Sequence, residues 1–161
     1  MKINQFCDFL VKAKKAGYAN GNNANKIKEK NKSKTITFKS GNWLYYDNYF
    51  GGEPYGGEEV VFFKNQPVYM MVYYGSVDKS VKNFKEVYKF LQVALTLIPK
   101  DKPFRGPKFY KNGDYAYRNW FNGKVDNFSG IEKIYFGRKK IYEAKYIGGL
   151  IDQRKEWINI Q

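Results

Sequence analysis

Two glutamates set in apolar surroundings are the residues of this chain best placed to do chemistry. Glu59 stands in GEEVVFF and Glu132 in GIEKIYF, each two residues after a glycine. Read as strands, these runs put each carboxyl on the same face as Val61 and Phe63, or Ile134 and Phe136. A carboxylate in such a place must be paired, hydrogen-bonded or protonated, because burying a lone charge is costly. Tyrosines recur around both at matched places: Tyr45 and Tyr117, Tyr69 and Tyr142, Tyr73 and Tyr146. Phenolic hydroxyls donate well to carboxylates, and Asp47 and Asn119 add further polar neighbours. Two roles follow. A glutamate of raised pKa beside a pocket can anchor a ligand or serve as acid or base. A glutamate that accepts from its own tyrosines, and from the N–H groups of a Gly-rich connection, is scaffolding. The residues leave both open.

The matching is part of an internal repeat. Gly41–Gly75 returns as Gly113–Gly148 with one inserted residue, and nine positions keep their identity, among them Gly57/Gly130, Glu59/Glu132 and Gly75/Gly148. Helical periodicity precedes each copy. Ile3, Phe6, Cys7, Leu10 and Ala13 form one stripe that stops before Gly17. Val81, Phe84, Val87, Leu91, Ala94, Leu95 and Ile98 form a longer one, with Asp78 or Ser80 as N-cap and Pro99 beyond its end. Within each copy, alternating aromatic runs separated by turn residues predict four strands, with hairpins at Asn112-Gly113 and its counterpart, near Lys64–Gln66 and near Gly137–Lys139. The expected fold is therefore α+β: two tandem copies of a helix plus a four-stranded antiparallel meander. A pseudo-two-fold relates them, and together they form one curved sheet, a barrel or a sandwich with two helices. The whole of 1–161 reads as a single domain, with copy one at 3–75, copy two at 80–148, and a flexible basic insertion at 19–35.

Composition excludes more than it assigns. With no histidine and one cysteine, Cys7, the chain lacks the parts for Ser-His or Cys-His nucleophiles, a Cys-cluster zinc site or a disulfide framework. Neither a metal nor a cofactor is expected. The start MKINQFCDFL has polar and acidic interruptions, and no apolar run reaches membrane-spanning length, so a cytoplasmic protein without a membrane partner is expected. The glycines Gly51, Gly52, Gly56 and Gly57 lack phosphate-loop spacing and read as turns and bulges. The formal net charge of +14 invites a nucleic-acid partner. Lysine carries most of that charge, with only four arginines, a balance that codon bias also produces.

Strand parity separates two faces. The inward set of copy one is Trp43, Tyr45, Asp47, Tyr49, Glu59, Val61, Phe63, Tyr69, Met71 and Tyr73. The opposite face is apolar in copy one (Leu44, Phe50, Val60, Phe62, Val68, Met70, Val72, Tyr74), where copy two carries Arg118, Lys133, Glu143 and Lys145. Something must cover that apolar face: a helix, the C-terminal segment with Trp157, or a second copy of the chain in a homodimer.

In FLVKAKKAGYA, YFGGEPYGGEEVVFFKNQPVYMMVYYG, FRGPKFYKNGDYAY and YIGGLI, over most of residues 6–151, the chain resembles an uncharacterised domain family of bacteria and archaea. Its members stand alone or are attached to Xre-type helix-turn-helix regulators. The resemblance implies a ligand-binding or regulatory domain and supplies no activity. The leading reading is thus a non-enzymatic module that holds a small ligand or a partner segment at Glu59, Glu132, Tyr45, Tyr117, Tyr69, Tyr142, Tyr73 and Tyr146. A second is nucleic-acid binding through Lys26, Lys28, Lys30, Lys133, Arg138, Lys139 and Lys140, with exposed aromatics as stacking platforms. A third is a hydrolase or transferase with the two glutamates as acid and base.

Overall fold

The computed structural model describes residues 3–17 and 25–155. Helix α1 spans Ile3–Ala16 and ends as its stripe predicts, with the Gly17 N–H on the Ala13 carbonyl. Helix α2 spans Phe84–Thr96, starting later than its apolar stripe because Asp78 is engaged elsewhere. The Asp78 carboxylate takes the backbone N–H and hydroxyl of Ser80 and so builds a turn ahead of the helix. Asn83 holds the cap position without a side-chain cap bond.

Nine strands follow in chain order: β1 (Lys26–Lys28), β2 (Lys34–Ser40), β3 (Trp43–Gly51), β4 (Tyr55–Phe63), β5 (Gln66–Val77), β6 (Phe109–Asn112), β7 (Tyr115–Lys124), β8 (Asn127–Phe136) and β9 (Lys139–Leu150), with α2 between β5 and β6. A single 3-10 turn at Gln153–Lys155 comes last. The strands form one open antiparallel sheet in the order β1-β2-β3-β4-β5-β9-β8-β7-β6. The expected eight strands become nine because Lys26–Lys28, inside the stretch expected as a basic loop, pairs with β2. Residues 19–24 of that stretch, and Trp157, lie outside the described residues. Among the described residues no helix is long and apolar enough to cross a membrane.

The hairpins differ from the sequence expectation by one residue. Asn112 is the last residue of β6 and pairs with Tyr115, so Gly113 and Asp114 make the turn, with Gly113 alone at positive φ, 58°. That is the geometry of a turn with glycine first, not of an Asn-Gly turn with both residues left-handed. Lys64 and Asn65, by contrast, both take positive φ, 49° and 65°. Register shifts fall at matched places, between Val61 and Phe62 and between Ile134 and Tyr135. The first explains a misplaced residue: simple alternation puts Val68 on the outer face, but the bulge turns it into the core, where it is buried.

Both helices lie on one face. Phe6, Phe9, Leu10 and Ala13 of α1 pack on Tyr45, Val61, Tyr69 and Met71, while Val87, Phe90, Leu91 and Leu95 of α2 pack near Tyr117, Ile134 and Tyr142. Between them the segment after α2 crosses the sheet and buries Phe104, whose ring stacks on Phe128 at 3.9 Å and 7°. Among the described residues no helix covers the other face, and Phe50, Val72, Tyr74, Trp120 and Ile147 are exposed there. Phe104 carries the crossing, so Phe104→Ala is expected to cost about 3–5 kcal/mol in urea unfolding. The half-exposed Val93→Ala should cost about 0.5 kcal/mol or less.

Candidate functional site

The face beneath the helices buries five charged side chains: Lys14 (0% exposed), Glu59 (0%), Glu132 (0%), Asp47 (1%) and Arg105 (3%). Each is brought there by a different element. Lys14 falls on the apolar stripe of α1, four residues past Leu10, so helical geometry aims it at the sheet. Its ammonium pairs with Glu59 Oε2 at 2.7 Å and donates to the Phe104 carbonyl at 2.7 Å. Burial pulls the Lys14 pKa down and the Glu59 charge opposes that pull. Arg105, next to Phe104 in the crossing segment, reaches Glu132: Nε and Nη2 donate to Oε1 at 3.1 and 2.5 Å.

Glu132 is held by three side chains, Arg105, Tyr117 and Tyr142. Tyr117 donates to its Oε2 at 2.7 Å and Tyr142 to its Oε1 at 2.9 Å, while the Tyr142 and Tyr55 hydroxyls are 2.6 Å apart. The Gly106 N–H donates to the Tyr117 oxygen at 3.0 Å, an approach that leaves no room for a side chain at Gly106, where a Cβ would lie 2.8 Å from the ring tip. Burial first, and then the Glu132 charge, push the Tyr117 and Tyr142 hydroxyls well above the usual phenol range, so both remain donors. Oε1 takes three of these bonds and Oε2 one, so protein donors rather than solvent meet this buried charge.

Asp47 and Asn119 hold the same register position in the two halves of the sheet, Asp47 opposite Glu59 and Asn119 opposite Glu132. Tyr73 donates to Asp47 Oδ1 at 2.6 Å, and Tyr146 donates to Asn119 Oδ1 at 2.7 Å. The Asn119 amide then donates to the Gly106 carbonyl at 3.0 Å and is closed in. Asp47 is not closed in the same way. It lines a cavity of about 260 Å³ between α2 and the β2–β5 part of the sheet. Tyr73 and Arg105 join Asp47 at the bottom, Tyr49, Tyr55, Tyr88, Leu91 and Leu95 form walls, and Lys26 and Lys34 stand toward solvent. The Arg105 guanidinium also sits over the Tyr73 ring, 5.6 Å from its centroid.

Charge accounting singles out Asp47. Among the described residues the buried set has three carboxylates, Asp47, Glu59 and Glu132, against two cations, Lys14 and Arg105. Lys14 pairs with Glu59 and Arg105 with Glu132. Burial, and next the Glu59 charge, push the Asp47 carboxyl up to about 7, against the pull of Tyr73, Arg105 and Lys14.

Of the eight tyrosines and glutamates singled out by the repeat, only Tyr73 lines this cavity. Glu132, Tyr117 and Tyr142 form one closed cluster, Tyr146 closes on Asn119, and Glu59, Tyr45 and Tyr69 lie in the core under α1. Lys14 and Arg105 are members of the buried network that the sequence reading missed. A lysine on an apolar helical stripe is the signal that was available for the first; nothing local marks the second. The basic residues do not share one patch. Lys26 and Lys28 lie on β1 at the sheet edge, with Lys30 in the turn that follows. Lys133 is on β8, while Arg138, Lys139 and Lys140 are at the β8–β9 hairpin, five to six strand places away. The Cys7 thiol is pushed up by burial and then by Asp8 and Asp101, opposite to what a nucleophile needs.

Residues 47–151 match the family described as Domain of unknown function (DUF5680), a span that starts at Asp47 and includes Glu59, Arg105 and Glu132. No curated protein and no solved structure matches the chain.

Two outcomes follow from the network. Glu132→Ala leaves Arg105 buried without its partner and is expected to cost about 3–5 kcal/mol, read by denaturant unfolding. Asp47 titrates higher folded than unfolded, so its protonation supports the fold below about pH 4 and that support is lost as pH rises through about 7. Melting temperature measured from pH 4 to 8 should therefore fall less in Asp47→Asn than in the parent protein.

Proposed function

The chain belongs to the DUF5680 family, and we propose that it is a non-enzymatic module that holds a small ligand in the cavity above Asp47. The observation that carries this reading is Asp47, a buried carboxylate that accepts from Tyr73, lies opposite Glu59 and lines open space. A ligand that brings an N–H or O–H donor to Asp47 would supply what the protein withholds. The aromatic and leucine walls suit a planar body, and Lys26 and Lys34 suit an acidic group at the outer end. The full burial of Glu132 and the four donor bonds it accepts support scaffolding rather than acid–base work for that residue.

The same reading treats the chain as a single domain of two copies, 3–75 and 80–148, related by a pseudo-two-fold. The register across the centre supports it: Tyr73 pairs with Tyr146, flanked by Met71 with Gly148 and Gly75 with Ala144, which the repeat exchanges pairwise. The parallel bonds Tyr73 to Asp47 and Tyr146 to Asn119 support it too. On this view one copy kept a sealed amide and the other an acid that meets a ligand. A regulatory role, in which occupancy is passed to a partner, fits the resemblance to modules attached to helix-turn-helix regulators.

The test is a thermal-shift panel of small planar compounds, with and without acidic and amine groups, on the purified protein. At one hundred times Kd a true ligand adds about 2.7 kcal/mol. Gln92→Trp, which places a ring into the cavity from the half-buried outer wall of α2, should abolish that shift while the unliganded protein still melts cooperatively. A shift unchanged in both Gln92→Trp and Asp47→Asn would end the reading.

A further inference from the structure

The face turned away from both helices carries a second binding surface. Strand register draws one unbroken row across it: Trp120, Ile131, Lys145, Tyr74, Gly56 and Phe50, running over β7, β8, β9, β5, β4 and β3. Its three aromatics are 46%, 61% and 50% exposed for Trp120, Tyr74 and Phe50. Rings of this size are seldom left bare on a sheet without a use. At about 4.8 Å per strand, Phe50 and Tyr74 are roughly 10 Å apart and Tyr74 and Trp120 roughly 14 Å.

The rows on either side differ in charge. On one side Arg118, Lys133 and Glu143 are in register, and Lys133 Nζ sits over the Trp120 ring, 5.5 Å from its centroid. On the other side Asn122, Ser129, Ile147 and Val72 carry no charge, and the row reaches a carboxylate only at Glu58 on β4, at the end away from Trp120. Adjacent rows lie about 6.7 Å apart along the strands, close to the distance from a stacked base to its own phosphate. Glu143 is already paired with Lys133 and Lys140, so the row presents net positive charge.

We propose that this face binds single-stranded RNA, with bases stacked on Trp120, Tyr74 and Phe50, phosphates along Arg118, Lys133 and Lys145, and Asn122 and Ser129 meeting 2′-hydroxyls. Stacking rings beside cations, on a chain of formal net charge +14, are complementary to a strand whose bases are free. A second copy of this chain is the poorer occupant. A two-fold contact through this face would bring its cations, Arg118, Lys133 and Lys145, together with a second identical set. Duplexes are poorer too, because their bases are already stacked.

Fluorescence anisotropy with labelled ten-nucleotide single strands of RNA and DNA and an RNA duplex, at 50 mM and 200 mM salt, tests the proposal. The RNA strand should bind tightest, the duplex at least tenfold more weakly, and affinity should fall with salt. Trp120→Ala and Tyr74→Ala should each weaken RNA binding roughly 5- to 100-fold, with Trp120→Phe restoring most of it. Lys133→Ala should lower the salt slope by about one. These side chains are exposed or half-exposed, and circular dichroism melts check that the variants fold. Equal binding of duplex and single strand with no effect of Trp120→Ala would reduce the interaction to bulk charge and overturn the proposal. Tight DNA binding equal to RNA would overturn the assignment to RNA. A dimer in sedimentation that Trp120→Ala dissolves would make the face a homodimer contact instead.

Discussion

Three carboxylates share the buried face of this sheet with two cations, and most of the architecture can be traced to that imbalance. Each buried charge must be met in place, because water cannot reach it. Glu59 requires Lys14, so α1 must cross β2 and β3 at the height where its fourth turn ends. Glu132 requires Arg105, so the segment after α2 must cross the sheet and cannot run around its edge. That crossing in turn places Phe104 on Phe128 and gives Lys14 a carbonyl to bond. The hydrophobic core and the polar network are thus one construction. Two of the rings that bury area, Tyr117 and Tyr142, also donate their hydroxyls to Glu132.

The imbalance also explains why the two halves differ. Where Asn119 stands, the amide both accepts from Tyr146 and donates to the Gly106 carbonyl, so the position is closed with no charge left over. A carboxylate cannot donate, and Asp47 in the equivalent register accepts from Tyr73 and lies in the field of Glu59 beside it. Its proton affinity rises as a result. The cavity lies at this position and not at Asn119, which ties the open space to the change from amide to acid.

Much of this was legible in the chain. The repeat marked Glu59, Glu132 and the tyrosines, and alternation put them on the inner face with Asp47. Both helices were visible in their stripes. The shift of the Gly113 turn by one residue was not, since glycine tolerates either place in a two-residue turn and pairing of Asn112 with Tyr115 decides it. Nor was the inward turn of Val68, because a bulge is a property of two strands and alternation reads one. Strand β1 is three residues of lysine and isoleucine whose pairing depends wholly on β2. Arg105 was beyond reach for a similar reason: only the path of the crossing segment brings it to Glu132, and no local pattern encodes that path. The repeat pointed to what the two halves share, whereas the cavity sits where they differ.

A pleated strand turns successive residues to opposite faces, and here that puts two chemistries one residue apart. Tyr73 donates to Asp47 at the bottom of the cavity, while Tyr74 stands bare in the aromatic row behind it. The matched bulges fall toward the hairpin ends, so the central register that sets both faces is uninterrupted there. A slip of one residue would bury the aromatic row and expose the carboxylates together. The buried ion pairs therefore hold the outer face in register as well as the inner one. The lysines at both sheet edges, Lys26 and Lys28 on β1 and Lys111 on β6, discourage strand addition from outside. What remains open to partners is the outer face and the mouth of the cavity, and both are framed by cations.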